Sequence, residues 1–231
     1  MASVNISGDV SGAISIAAPS AAGSGVLTLP TGTDTLVGKA TTDTLTNKTL
    51  VAPALGTPAS GVLTNCTGVV AGALPAGSVL QVVSTTKTDT FSTTSSPFVD
   101  ITGLSVSITP RSTSSTILVN FSVNRGASVG AISGFQLLRG ATAICIGDAA
   151  SLRTRATTGA YPGSADASNA IITSGMIYLD SPATTSATTY KLQVKSDVSG
   201  QTTYINRTGS DGDSTAYVRC ASTITVQEIQ G

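Results

Sequence analysis

The chain has no histidine, no tryptophan and a single glutamate, Glu228, and only 10% of its 231 residues are charged. Each scarcity excludes something. Without histidine there is no usual base for a nucleophilic triad and no imidazole for a metal centre. Twelve basic and twelve acidic residues cancel, and the basic ones are scattered from Lys39 to Arg219. Counterion release needs clustered cations, so nucleic acid and anionic membranes are set aside as partners. No run approaches the roughly 20 apolar residues of a membrane-spanning helix, so membrane insertion is not expected. The first positive charge is Lys39, too late for the basic start of a secretory signal. Cytoplasmic synthesis without export is the expectation.

Cysteine and aromatic residues are also few. Cys66, Cys145 and Cys220 are odd in number and lack C-x-x-C spacing, which suits neither a zinc site nor a disulfide scaffold. They read as three small buried hydrophobes, with a Cys145–Cys220 bridge as the alternative. Every Phe and Tyr lies between Phe91 and Tyr217. Because rings bury the most area per residue, residues 1–77, with only aliphatic material, are poor at closing a core as a monomer. With so little charge, apolar burial rather than ion pairing must carry any assembly.

What is present is repetition and β-pattern. Leu45-Thr-Asn-Lys-Thr49 is echoed by Leu63-Thr-Asn-Cys-Thr67 around a linker punctuated by Pro53, Gly56, Pro58 and Gly61. Such a near-repeat of small and β-branched residues can bury its apolar side chains if identical copies wrap around one another. Residues 1–40 alternate short apolar runs (Val4 and Ile6, Ile14 and Ile16, Val26 to Leu29) with turn residues, a pattern of short strands. Residues 41–77, with Pro at 53, 58 and 75, read as an extended shaft, since each proline fixes its own backbone and extends its predecessor.

From 78 to 231 the alternation strengthens, with strands expected over 79–84, 98–102, 104–108, 117–123, 135–138, 144–146, 171–179, 190–194, 204–205 and 218–229. About ten strands with Gly, Ser, Asp and Pro turns suit a two-sheet sandwich or jelly roll. The fold class is therefore all-β, an extended intertwined N-terminal shaft followed by a C-terminal jelly-roll-like β-sandwich.

No catalytic constellation is visible, and the chain is read as a non-enzyme with no cofactor and no metal. Asp211-Gly-Asp213 could touch calcium, which wants six or more oxygens; a solvated turn is the plainer reading. Glycan cleavage would need two acids across a groove, and the scattered aspartates are better explained as turn formers. Recognition is the better reading of the long connections. One, over 149–170, holds Arg153, Arg155 and Tyr161; the other, over 206–217, holds Asn206, Arg207, Asp211, Asp213 and Tyr217. Tyr with Arg is common anchor chemistry, and a tyrosine face with Asn, Asp and Arg hydrogen bonds would hold a sugar. The competing reading is that these arginines coat the surface or pair across subunits.

Several blocks resemble a known family. Thr44-Leu-Thr-Asn-Lys-Thr-Leu50, Leu55-Gly-Thr-Pro-Ala-Ser-Gly61 and Leu63-Thr-Asn65 resemble shaft repeats of tail-fibre proteins from tailed bacteriophages. Leu80-Gln-Val-Val-Ser-Thr-Thr-Lys-Thr-Asp89, Phe98-Val-Asp-Ile-Thr-Gly-Leu-Ser-Val-Ser-Ile-Thr-Pro110, Leu137-Leu-Arg-Gly140, Leu179-Asp-Ser-Pro-Ala-Thr-Thr185 and Ser222-Thr-Ile-Thr-Val-Gln-Glu-Ile229 are similar to the distal heads that follow such shafts. The resemblance implies a homotrimer made in the host cytoplasm and placed on the virion. Residues 1–40 would dock on other virion proteins, 41–77 would form the shaft, and 78–231 would meet a host cell-surface polysaccharide or protein receptor. Long fibres carry many shaft repeats and this chain has two, so a trimeric capsid decoration or head-fibre protein is the alternative, and a polysaccharide depolymerase a third reading.

Overall fold

The computed structural model describes residues 3–7 and 13–17, Thr49, Val51, and residues 74–161 and 167–231. The chain divides into two compact units, Met1–Val62 and Leu63–Gly231. In the first, β1 (Ser3–Ser7) and β2 (Ala13–Ala17) pair antiparallel, Val4 opposite Ile16 and Ile6 opposite Ile14, as their period-2 spacing predicts. Most of the expected shaft over 41–77, Cys66 included, lies outside the described residues.

The second unit contains β3 (Val79–Lys87), β4 (Phe91–Thr93), β5 (Val99–Ile108), β6 (Thr116–Ala127), β7 (Ser133–Arg139), β8 (Thr142–Ile144), β9 (Thr158–Ala160), β10 (Ile172–Asp180), β11 (Thr188–Ser196), β12 (Thr203–Ile205) and β13 (Ser222–Ile229). They form two antiparallel sheets, six-stranded (β3, β4, β6, β10, β12, β13) and five-stranded (β5, β7, β8, β9, β11). Both sheets contribute to a single core: Leu104, Phe135, Leu137 and Leu192 from one, Ile117, Val119, Phe121 and Ile224 from the other. Strict alternation puts them there. Along β13 every second residue from Ser222 to Glu228 is buried and its neighbours are half-exposed, so a pleat with period 2 hides one face.

Several strands run past their expected bounds, β3 to Lys87 and β6 to Ala127 among them, and three further boundaries differ. The runs over 98–102 and 104–108 are one strand, β5, that passes through Gly103 at φ 81°, opposite a register shift between Lys191 and Gln193. The strand expected over 144–146 ends at Ile144, because Cys145 adopts φ 52° and turns the chain away. The strand expected from 218 begins only at Ser222. The strands β4 and β9, three residues each, are too short to show a period.

Two strands are interrupted rather than ended. Arg125 of β6 pairs with Ile172 on one side and Ile205 on the other, while Phe121 pairs with Met176 and Ile224. A strand has only two edges, so β12 and β13 lie end to end along the same edge of β6, and residues 207–221 leave between them. The second case is β7, where Leu137 pairs with Leu192 and Ile144 and Phe135 with Val194 and Thr158. Here β8 and β9 share an edge, and residues 145–157 leave between them.

A side chain bridges each gap. Thr157 is buried; its N donates to Phe135 O at 2.8 Å, and its Oγ1 accepts from Leu137 N at 2.9 Å while donating to Ile144 O at 3.3 Å. Asn206, fully buried, does more. Its Nδ2 donates to Lys87 O (2.8 Å) and Asp89 O (3.0 Å), its Oδ1 accepts from Ser222 Oγ (2.6 Å), and its N donates to Asn124 O (2.8 Å). The φ of 63° at this residue lies in the left-handed region that asparagine tolerates better than most.

Of the two described cysteines, neither is buried as expected: Cys145 and Cys220 are both half-exposed. Cys145 and Cys220 are free thiols, not a bridge, and Cys145 Sγ lies 3.2 Å from Met176 Sδ. Partial burial pushes the Cys145 thiol above its ordinary pKa.

Buried charge is sparse and tied down. Asp180, at the end of β10, accepts from Arg139 Nη1 at 2.9 Å and from Tyr190 Oη at 2.6 Å, joining the two sheets; burial, then the bond to Asp180, push the Tyr190 phenol pKa up. Arg125 is fully buried, donating to Ser133 Oγ (2.8 Å) and Ala131 O (2.6 Å), and burial brings its pKa down to about 10. Glu228 is also fully buried. Burial alone would raise its pKa, but hydrogen bonds from Gln81 Nε2 (2.6 Å) and Arg111 N (2.6 Å) outweigh that and hold it below the usual carboxylate range.

A carboxylate whose pKa is lower in the folded state stabilises that state above its unfolded pKa, and the contribution is lost as pH falls through the folded value. Stability should therefore fall on acidification below about pH 4.3, the unperturbed glutamate value. Glu228→Gln should cost about 1–3 kcal/mol at neutral pH, because the amide oxygen can accept from one of the two donors while the NH₂ is left facing the other, and should flatten the acid limb. Urea melts from pH 7 to 3 on both proteins test this; parallel acid limbs would contradict it.

Candidate functional site

The loop over 207–221 is built on the six-stranded sheet. At its base, Arg207 and Arg219 form an isolated antiparallel bridge, and Cys220 N donates to Asn206 O at 3.0 Å. The loop then lies close over the end of β6. A Cβ on Gly126 would run into Arg207 O, and one on Gly209 into Ala127 O, so only glycine lets these backbones approach. Ser210 N donates to Ser168 O at 2.8 Å, fixing the loop to the 3-10 turn Ala167–Asn169.

Asp211 organises the polar part. Its carboxylate receives Arg207 Nη1 at 3.0 Å and Arg219 Nη2 at 2.7 Å, so both oxygens are committed to guanidinium groups. The Arg207 guanidinium also lies over the Tyr204 ring, 3.9 Å from its centroid, a cation–π contact that holds its plane. Beyond the clamp the tip curls on its own hydrogen bonds, Ser214 N to Gly212 O at 2.9 Å and Tyr217 N to Ser214 O at 3.1 Å. The Tyr217 ring covers Gly212, where a Cβ would come within 3.1 Å of it.

These residues line an open surface pocket of about 330 Å³, formed by Asp211, Gly212, Asp213, Ser214, Tyr217 and Arg219. Its lining offers an aromatic ring, a hydroxyl, a guanidinium and the Asp213 carboxylate, which has no ion pair among the described residues. With Arg207 and Arg219 set against Asp211 and Asp213, the formal charges cancel. Such a site attracts neither anions nor cations strongly and is suited to a neutral hydroxylated ligand. No group of three or more His, Cys, Asp or Glu able to hold a metal occurs among the described residues, and the committed Asp211 oxygens leave Asp211-Gly-Asp213 little to offer calcium.

The structure thus brings Arg207, Asp211, Asp213 and Tyr217 together and adds Ser214 and Arg219. It withdraws Asn206, whose amide is spent inside the protein. Arg153, Arg155 and Tyr161 lie elsewhere, on the connection associated with β8 and β9, and all three are exposed. Arg155 Nε donates to Gly147 O at 2.7 Å and Gln136 Nε2 to Arg155 O at 2.7 Å, so Arg155 braces its own loop. Arg219 falls in the run from 218 that reads as strand; its place opposite Arg207 follows only from the interruption between β12 and β13.

No protein-family model matches this chain, and no curated protein matches it.

The ion pairs here are partly exposed and worth less than about 1 kcal/mol in global stability, but they set the loop's order. Asp211→Ala should leave the melting transition within a few degrees of wild type and accelerate tryptic cleavage after Arg207 and Arg219 severalfold, whereas Asp213→Ala should leave cleavage unchanged. Mass spectrometry of timed digests reads this out; equal cleavage in both variants would contradict the clamp.

Proposed function

We propose that this chain is a non-enzymatic virion fibre protein, a short homotrimeric phage tail fibre whose C-terminal part, a jelly-roll-like sandwich, adheres to the host surface. The cavity on the 207–221 loop carries the reading. Its tyrosine face, uncommitted carboxylate and balanced charge suit the hydroxyl-rich, uncharged stretches of a surface polysaccharide, while a protein receptor would use the same tyrosine and arginine as anchors. Adhesion comes from number: three equivalent weak sites per fibre, and several fibres per particle, give avidity that one site lacks. The N-terminal segment docks on other virion proteins, and the resemblance of the Leu-Thr-Asn phrases to fibre shafts supports an intertwined stalk between the two ends.

Having only two such phrases favours a second location, a trimeric decoration or head fibre on the capsid. Labelling of virions with antibody separates the two, since label on the head would defeat the tail assignment. For adhesion, the full-length protein should bind host cells and purified surface polysaccharide, and Tyr217→Ala or Asp213→Ala should weaken binding at least tenfold, the loss expected when a central anchor worth about 1.4 kcal/mol or more is removed. Unchanged binding in both variants would refute the site, and new reducing ends released from the polysaccharide would contradict the non-enzymatic reading.

A further inference from the structure

The two sheets differ in their outer faces. The five-stranded sheet carries charge outward: Asp100 pairs with Lys191 at 2.7 Å and accepts from Gln193 Nε2 at 2.7 Å. The outward positions of β3, β13, β6 and β10 carry none. In register across these four strands, one row reads Val82, Gln227, Leu118 and Leu179. The next reads Ser84, Thr225, Asn120 and Ile177, with Ser84 and Thr225 hydroxyls 2.8 Å apart. The row beyond it reads Thr86, Thr223, Ser122 and Gly175. Charge-free faces of this size are unusual where solvent is the only neighbour, because exposed sheet is normally studded with Lys or Glu.

The apolar side chains are gathered at one end of that face. Ile177 is 66% exposed, Val82 56%, Leu179 54% and Val79 51%, and each is large enough for burial to be worth having. This is the end where the chain enters the two-sheet body: Gly77 N donates to Gln230 O and Gln230 N to Ser78 O, both at 2.8 Å. The 207–221 loop leaves beside Asn124 and Val123, toward the opposite end of β6.

We infer that this face is the contact between copies of this chain, which names the subunit surface of the assembly proposed above and rests on that proposal. The occupant follows from the chemistry. A face without charge has nothing to match against a charged partner, whereas hydroxyl and amide side chains are donors and acceptors at once and so complement a second copy of themselves. Four strands about 4.8 Å apart, and about 3.4 Å per residue over the nine positions from Thr116 to Asn124, present roughly 600 Å² per copy. Three such faces turned toward a common threefold axis present about 1,800 Å² in all, above the order of 1,000 Å² that a specific assembly requires. Contact at the entry end also leaves the loop cavities at the other end open.

The test is the mass of the full-length protein by sedimentation or light scattering. Wild type should run at three chains. Val82→Lys with Leu179→Lys, and separately Thr225→Lys at the centre of the face, should lower the assembled fraction at least tenfold at micromolar protein while keeping a strand-type circular-dichroism spectrum. Ser107→Lys on the other sheet should stay at the wild-type mass. A wild-type monomer would overturn the trimeric reading together with this inference. A wild-type trimer whose face variants, still folded, also run as trimers would overturn the inference alone.

Discussion

Inserting a loop into a strand strands backbone donors and acceptors on both flanks, and in a sheet with one face against a core those groups cannot turn to water. The second unit meets this constraint twice, and both times one polar side chain replaces the missing strand. Asn206 is the more consequential. Its amide reaches two carbonyls at the end of β3 and in the connection to β4 and receives the Ser222 hydroxyl, so β12 and β13 continue as one strand beneath a long insertion. With the base held, the loop can carry polar and charged groups that the core would reject.

The same economy governs charge. Among the buried charged groups, Asp180 accepts from Arg139 and Tyr190, Glu228 accepts from Gln81 and Arg111, and Arg125 donates to Ser133 and Ala131, so these charges are met by charge-assisted hydrogen bonds. The Asp180 network ties β10 to β7 and β11 across the core, and Glu228 ties β13 to the segment after β5. Elsewhere the apolar faces of both sheets do the work, with Phe121, Phe135 and Tyr190 supplying the large buried rings. This placement explains why the aromatics are confined to the later part of the chain.

How much was legible beforehand depends on period. Strands with a clear alternation, such as those around Ile117 and Val226, were visible because one face must be hidden. The two end-to-end strands were not, because continuity across a gap is a long-range property: nothing near residue 206 says that Ser222 resumes the same line. For that reason Asn206 read as a surface hydrogen-bonder when it is a core residue, and Arg219 read as strand when it clamps Asp211. Arg207, Asp211, Asp213 and Tyr217 were legible because Gly, Asp and Ser clustering announces a turn-rich loop. Arg153 and Arg155 gave the same compositional signal, yet lie exposed on a separate loop, where Arg155 braces its own backbone.

The account depends on Asn206 holding the loop's base as firmly as ordinary strand. Hydrogen exchange of the full-length protein measures that directly, amide by amide. The Asn206 and Cys220 amides, which donate to Asn124 O and Asn206 O, should be protected to the level of β6, while the amides of residues 212–216 exchange orders of magnitude faster. Exchange at Asn206 and Cys220 as rapid as at the tip would mean that the strand simply ends there, and that the loop above it has no fixed foundation.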